Sequence, residues 1–88
     1  MARFEMAADE ATHASAGGSA DVLFELGMRY CAGRGVTVDM IEAHKWFNLS
    51  AMRGNEAAKA YRLELAREMS RTDVAKAQRL AREWLAVQ

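Results

Sequence analysis

Few residues in this sequence have types and spacing that could do chemistry, and the first is Gly33-Arg34-Gly35, inside the stretch YCAGRGVTVDMIEAHKWF from Tyr30 to Phe47. Two glycines around a cation are what a phosphate-cradling loop would use. A Walker loop, however, ends in Gly-Lys-Ser/Thr so that the lysine reaches phosphate and the hydroxyl reaches magnesium, and neither follows here. A dinucleotide fingerprint needs a third glycine where Val38 stands, and a strand ahead of the loop where this sequence reads as helix. Asp39 is placed to cap the next helix, and its carboxylate would repel an anion from that N-terminus. His13 and His44 are the only imidazoles, and neither pairs with a second ligand at i+3 or i+4 in a metal-like arrangement. Glu42 and His44 lie two apart and so face different sides of a helix. Cys31 is the only cysteine; it has no disulfide partner within the chain and no companion for a zinc site, and it reads as a small helical residue. There is no nucleophile backed by a histidine and an acid, and no carboxylate pair in an evident cleft. The residues therefore predict no catalytic site, no cofactor and no metal.

The elements around these residues are helices. The chain has 18 alanines, one isoleucine and no proline, and alanine loses no side-chain entropy on entering a helix. Leu23, Leu26, Gly27 and Tyr30 fall at i, i+3, i+4 and i+7, which predicts a helix over 20–32 with those residues on one face. Ala43, Trp46, Phe47, Ser50, Ala51 and Gly54 repeat the spacing and predict a second helix over 40–53, with Asp39 and Glu42 as a capping box. Gly54 suits the left-handed residue that ends a helix, and Asn55 suits the cap of the next, so the second and third helices meet at a tight corner. The third helix is expected over 56–69 with Ala57, Ala60, Tyr61 and Leu65 inward. Thr72 is expected to cap a fourth, whose stripe is Val74, Ala77, Leu80, Ala81, Trp84 and Leu85. Its polar side, Lys76, Arg79, Arg82 and Glu83, reads as a solvated face. A weaker helix is expected over 3–15, with Phe4, Ala7, Ala8 and Ala11 on one side and Gly17-Gly18-Ser19 separating it from the rest.

Composition narrows the function classes. Lys plus Arg equals Asp plus Glu at 12 each, with a sequence pI near 6.7, so no global field draws the chain to nucleic acid or to anionic lipid. No apolar run approaches the roughly 20 residues of a membrane span, and the first residues carry acids where a signal peptide has its apolar core. The expectation is a soluble cytoplasmic protein of one domain, at the size where a single core is marginally sufficient.

A repeat emerges when the corners are compared. Gly18 precedes the first firm helix as Gly54 precedes the third, and Leu23, Phe24 and Leu26 match Ala60, Tyr61 and Leu63 at an offset of 37 residues. That period lies in the range of helical-hairpin solenoids. The pattern Leu26-Gly27-x-x-Tyr30-x-x-Gly33-x-Gly35-Val36-x-x-Asp39-x-x-x-Ala43-x-x-Trp46, continuing to Ser50-Ala51-x-x-Gly54, resembles the Sel1-like repeat, an αα-hairpin related to tetratricopeptide repeats. The segment from Met69 to Trp84 also resembles the closing segment of small bacterial single-repeat members. The second unit departs from the pattern, since Glu64 stands where Gly27 would repeat and no G-x-G follows.

The resemblance implies an all-α fold of antiparallel helix hairpins stacked as a short right-handed superhelix of four to five helices. On this reading 19–54 is the repeat, 55–88 a degenerate hairpin acting as a cap, and 1–18 an N-terminal capping or partly ordered segment. It also implies a noncatalytic scaffold for protein contacts, with Leu26, Gly27, Tyr30, Gly33, Gly35, Asp39, Ala43, Trp46, Ala51 and Gly54 in packing and turn roles. With the apolar stripe turned inward, Asp21, Glu25, Met28 and Arg29 on the first helix and Arg62, Glu64 and Glu68 on the third are expected to point outward. Of these, Glu25, Met28, Arg29 and Arg62 form the candidate partner-binding face. Each hairpin leaves an apolar face that a neighbour must cover, so a homodimer through an open repeat face is the alternative. A small-molecule or nucleotide binder is a remote third.

Overall fold

A computed structural model describes residues 19–88. The helix expected over 3–15, the N-terminal cap and His13 lie outside the described residues. The described chain is all-α as expected: α1 (Ala20–Ala32), α2 (Met40–Met52), α3 (Glu56–Glu68) and α4 (Arg71–Ala86).

Each helix starts on a side chain that satisfies amides left without an intrahelical partner. Ser19 Oγ accepts from the N–H groups of Asp21 and Val22, Asp39 Oδ1 from Glu42, and Asn55 Oδ1 from Ala58. At α4 the cap is Ser70, whose Oγ accepts from Asp73 at 3.0 Å, and not Thr72 as the sequence suggested. The chain needs only Met69 and Ser70 to leave α3 and start again, so the earlier hydroxyl takes the role. The capping box at Asp39 is half made. The Asp39 N–H donates to the Tyr30 carbonyl at 3.1 Å, and the Glu42 carboxylate turns along its own helix to accept from Trp46 Nε1 and pair with Lys45.

α2 is the central helix, and each of the other three packs on it. One stripe of α2, Ala43, Phe47 and Ala51, meets Ala58, Leu65 and Met69 from the α3 side and Phe24, Met28, Tyr30 and Cys31 of α1. A second stripe, Trp46 and Leu49, meets Ala81, Trp84 and Leu85 of α4 and Val22, Leu23 and Leu26 of α1. α3 and α4 thus sit on different sides of α2, and their main packing is with α2 rather than with each other. This explains Leu49 and His44, which are buried although neither belongs to the expected stripe. A helix covered on several sides buries residues around most of its circumference.

On α3 the buried positions are Ala58 and Leu65, while Ala57 and Ala60, expected inside, face out. The helix is rolled by about one residue, which leaves Tyr61 at the edge of the core with 41% of its surface exposed. α4 follows the expected stripe: Ala77 and Ala81 are buried, Val74, Leu80, Trp84 and Leu85 half-buried, and Lys76, Arg79, Arg82 and Glu83 exposed. Trp84 meets Trp46 edge to face, with ring centroids 5.6 Å apart.

The start of α1 is tied to the α2–α3 corner. Ser50, fully buried, donates from Oγ to the Ala20 carbonyl at 2.6 Å, and Asn55 Nδ2 donates to Asp21 Oδ1 at 3.2 Å. Asn55 therefore caps α3 and holds α1 with one amide group.

Candidate functional site

The Gly33-Arg34-Gly35 loop ends α1 with its own hydrogen-bonding groups. Gly33 takes φ 75° and Gly35 φ 77°, the left-handed region where a side chain is strained. The N–H groups of Gly33 and Arg34 both donate to the Arg29 carbonyl, at 2.8 and 3.0 Å. A phosphate cradle needs such amides pointing at the ligand, and here they close the helix. Arg34 reaches back to Glu25 at 3.8 Å, with both side chains largely exposed; a pair of that kind contributes little.

Gly27 sets how closely α1 and α2 approach. A Cβ built on it would lie 2.5 Å from both Cδ1 and Cε1 of Phe47, so the ring rests directly on the glycine backbone. Phe47 in turn stacks on Tyr61, with centroids 5.2 Å apart and planes at 22°, and tilts against Phe24 at 5.7 Å. Phe24 and Tyr61 complete the triangle edge-on at 5.6 Å. Contacts of these kinds suit the ring quadrupoles. The three rings come from three helices, and Phe47 is the buried floor while Phe24 and Tyr61 form a half-open rim. Beside Tyr61, Ala60 and Glu64 bound a shallow open depression of about 220 Å³. The carboxylates of Glu64 and Glu68 stand exposed on the same side of α3, one turn apart; Glu64 pairs only loosely with Arg67, at 3.8 Å.

The four residues expected to form a partner-binding face are not brought together. On α1, Met28 shares a stripe with Phe24 and Cys31 and packs against the Phe47 cluster, half-buried. Glu25 and Arg29 lie on the next stripe, a residue further round. Arg62 turns toward α2 and donates from Nη1 to Asn48 Oδ1 at 2.9 Å, so it is engaged within the fold. The sequence pattern alone does not single out the rim at Phe24 and Tyr61 as a site. Its signal is present, since Phe24 and Tyr61 occupy matching positions in the two units, but the inward assignment of Tyr61 conceals it.

His44 is 2% exposed, and its Nδ1 has no hydrogen-bond partner among the described residues. Burial first, and the Arg62 guanidinium second, hold its pKa below the ordinary value of 6.5. Burial, with Glu42 and Asp39 adding to it, raises the Tyr30 phenol. Among the described residues no group of three or more His, Cys, Asp or Glu could hold a metal ion, and no helix is long and apolar enough to cross a membrane.

The family model of the Sel1 repeat matches residues 20–55, which span α1, the glycine loop, α2 and the corner at Asn55. No curated protein and no solved structure matches the chain. The family is typically a noncatalytic helical repeat that mediates protein interaction. Gly27 under Phe47, left-handed Gly33 and Gly35, the Asp39 cap and the turn at Gly54 each fill a structural role in the matched segment, and residues 20–55 carry one Sel1 repeat.

Proposed function

We propose that the chain is a noncatalytic protein-interaction module whose contact surface is the rim formed by Phe24 of α1 and Tyr61 of α3, with Ala60 and Glu64 beside it. The observation that carries this reading is the aromatic triangle. Its buried member, Phe47, fixes the positions of two rings that remain partly open to solvent. Rigid aromatics with a solvated edge supply contact area at low entropic cost, which is why they anchor interfaces. The flanking Glu64 and Glu68 suit a partner that offers an apolar side chain next to a cation. Glu25 and Arg29, from the expected face, lie outside this rim and take at most a peripheral part.

A photoactivatable crosslinking residue placed at exposed Ala60, in the native cell, tests the reading, with the same residue at Arg82 on the outward side of α4 as the control. A discrete adduct is expected from position 60 and absent from position 82. Equal adducts at both positions, or none at position 60, would overturn it. Self-association is a second reading, favoured by Met52 and Leu63, which expose 60% and 53% of their surfaces; it would give a mass rising with concentration in light scattering, and a strict monomer excludes it.

A further inference from the structure

α3 joins the rest of the fold mainly through α2. Ala58 and Leu65 are its buried residues, Tyr61 stacks on Phe47 from the edge, and Arg62 donates to Asn48 of α2. His44 lies one helical turn before Asn48 on the same helix, almost fully buried and with an orphaned Nδ1. A neutral imidazole can leave one nitrogen without a partner. The imidazolium has two N–H donors to satisfy, and the charged group that bears on it is a guanidinium.

We infer that protonation of His44 releases α3 from the α1–α2 hairpin, so that α3 acts as a pH-sensitive flap over Phe47. From α3 the Arg62 guanidinium is the charged group that perturbs the ring, and from α1 the titratable groups packed on this stripe of α2 are the Tyr30 phenol and the Cys31 thiol. On α2 itself Asn48 is neutral, and Glu42 is turned away to Trp46 and Lys45. The Asp39 carboxylate, at the head of α2, is committed to the Glu42 N–H. α4 packs on the other stripe of α2, so the charge would act on α3 and spare α4.

The direction of the pH effect follows from linkage. The folded-state value of His44 is depressed below 6.5, so the unfolded or released form binds the proton first. The attachment of α3 is complete above about pH 6.5 and is lost as pH falls through the folded-state value. Tyr61 rides on α3, so release would also dismantle the contact rim; that consequence rests on the proposed function, whereas the release does not.

Amide hydrogen-exchange protection factors, followed by NMR on the full chain at about pH 7.5 and about pH 5.0, test the inference. Protection of α3 amides is expected to fall by about tenfold or more, while α4 amides near Ala81 keep theirs. In His44→Leu the α3 protection becomes independent of pH over this range. Arg62→Gln, which keeps an amide donor for Asn48 but removes the charge, narrows the gap between the folded and released values of His44, so the loss of α3 protection between the two pH values shrinks, and it serves as the readout if the leucine variant folds poorly. Equal α3 protection at the two pH values, a loss shared by all four helices, or an unchanged loss in His44→Leu would each overturn it. A missing crosslink at Ala60 at neutral pH would defeat the contact reading and leave this one standing.

Discussion

Replacing Gly27 by alanine tests the closest helix approach in the repeat. Two effects of opposite sign compete. In a helix interior alanine is favoured over glycine by about 1 kcal/mol. Against this, the new methyl would lie 2.5 Å from two atoms of the Phe47 ring, where carbons normally rest about 3.5–4.0 Å apart. Relief needs about 1 Å of separation between α1 and α2. Phe47 has little freedom to yield, because it is fully buried and packed against both Phe24 and Tyr61. Overpacking of this kind costs about 1–3 kcal/mol, so the steric term wins and the variant loses about 1 kcal/mol net. For a domain of this size that is a fall in Tm of about 4–8 °C. Urea unfolding followed by Trp fluorescence gives the free energy, and circular dichroism gives the Tm. Adding Phe47→Leu removes the ring that clashes, so the Phe47→Leu loss should be smaller in the Gly27→Ala background than in the parent, with a coupling of about 1 kcal/mol. If Gly27→Ala were as stable as the parent or more so, the propensity term would have prevailed and the close approach would not govern the hairpin.

Two further stability measurements address the turn and the tie at the start of α1. Gly33→Ala and Gly35→Ala both place a side chain at positive φ and each should lose about 1–2 kcal/mol. The loss should be larger at Gly33, where the new Cβ would also meet Val38 Cγ2 at 2.9 Å, than at Gly35, which has open space around it; equal losses would mean that the Val38 contact is accommodated freely. Ser50→Ala removes the buried 2.6 Å bond to the Ala20 carbonyl and is expected to lower the unfolding free energy by about 1 kcal/mol, with faster amide exchange in the first turn of α1; no change in either would show that water satisfies that carbonyl.

Much of the hairpin was legible in the sequence because its signals are local. The stop at Gly33, the starts at Asp39 and Asn55 and the turn at Gly54 depend on residues that satisfy amides or adopt φ values within a few positions of themselves. The period of Leu23, Leu26 and Gly27 likewise predicts a buried stripe without reference to its partner. The roll of α3 was not legible. Ala57, Ala58 and Ala60 are chemically alike, so periodicity could not decide which of them faces inward, and the answer came from how Leu65 and Tyr61 fit against Phe47. That roll is what placed Tyr61 at a solvent-exposed edge. The same holds for Arg62, which looks like a surface cation in sequence and is drawn inward by Asn48, fourteen residues away.

By itself the sequence determined the helices, the end of α1, the starts of α2 and α3, and the Sel1 repeat pattern over 20–55. These are properties of the backbone and its nearest side chains, with energies set within one or two helical turns. Only the tertiary structure decided that α3 and α4 take different sides of α2, that three aromatics from three helices meet as one cluster, and that His44 is buried beside Arg62. Those outcomes depend on which helix covers which stripe. A stripe's period states that it must be buried, but only packing against a particular neighbour determines what remains at its edge.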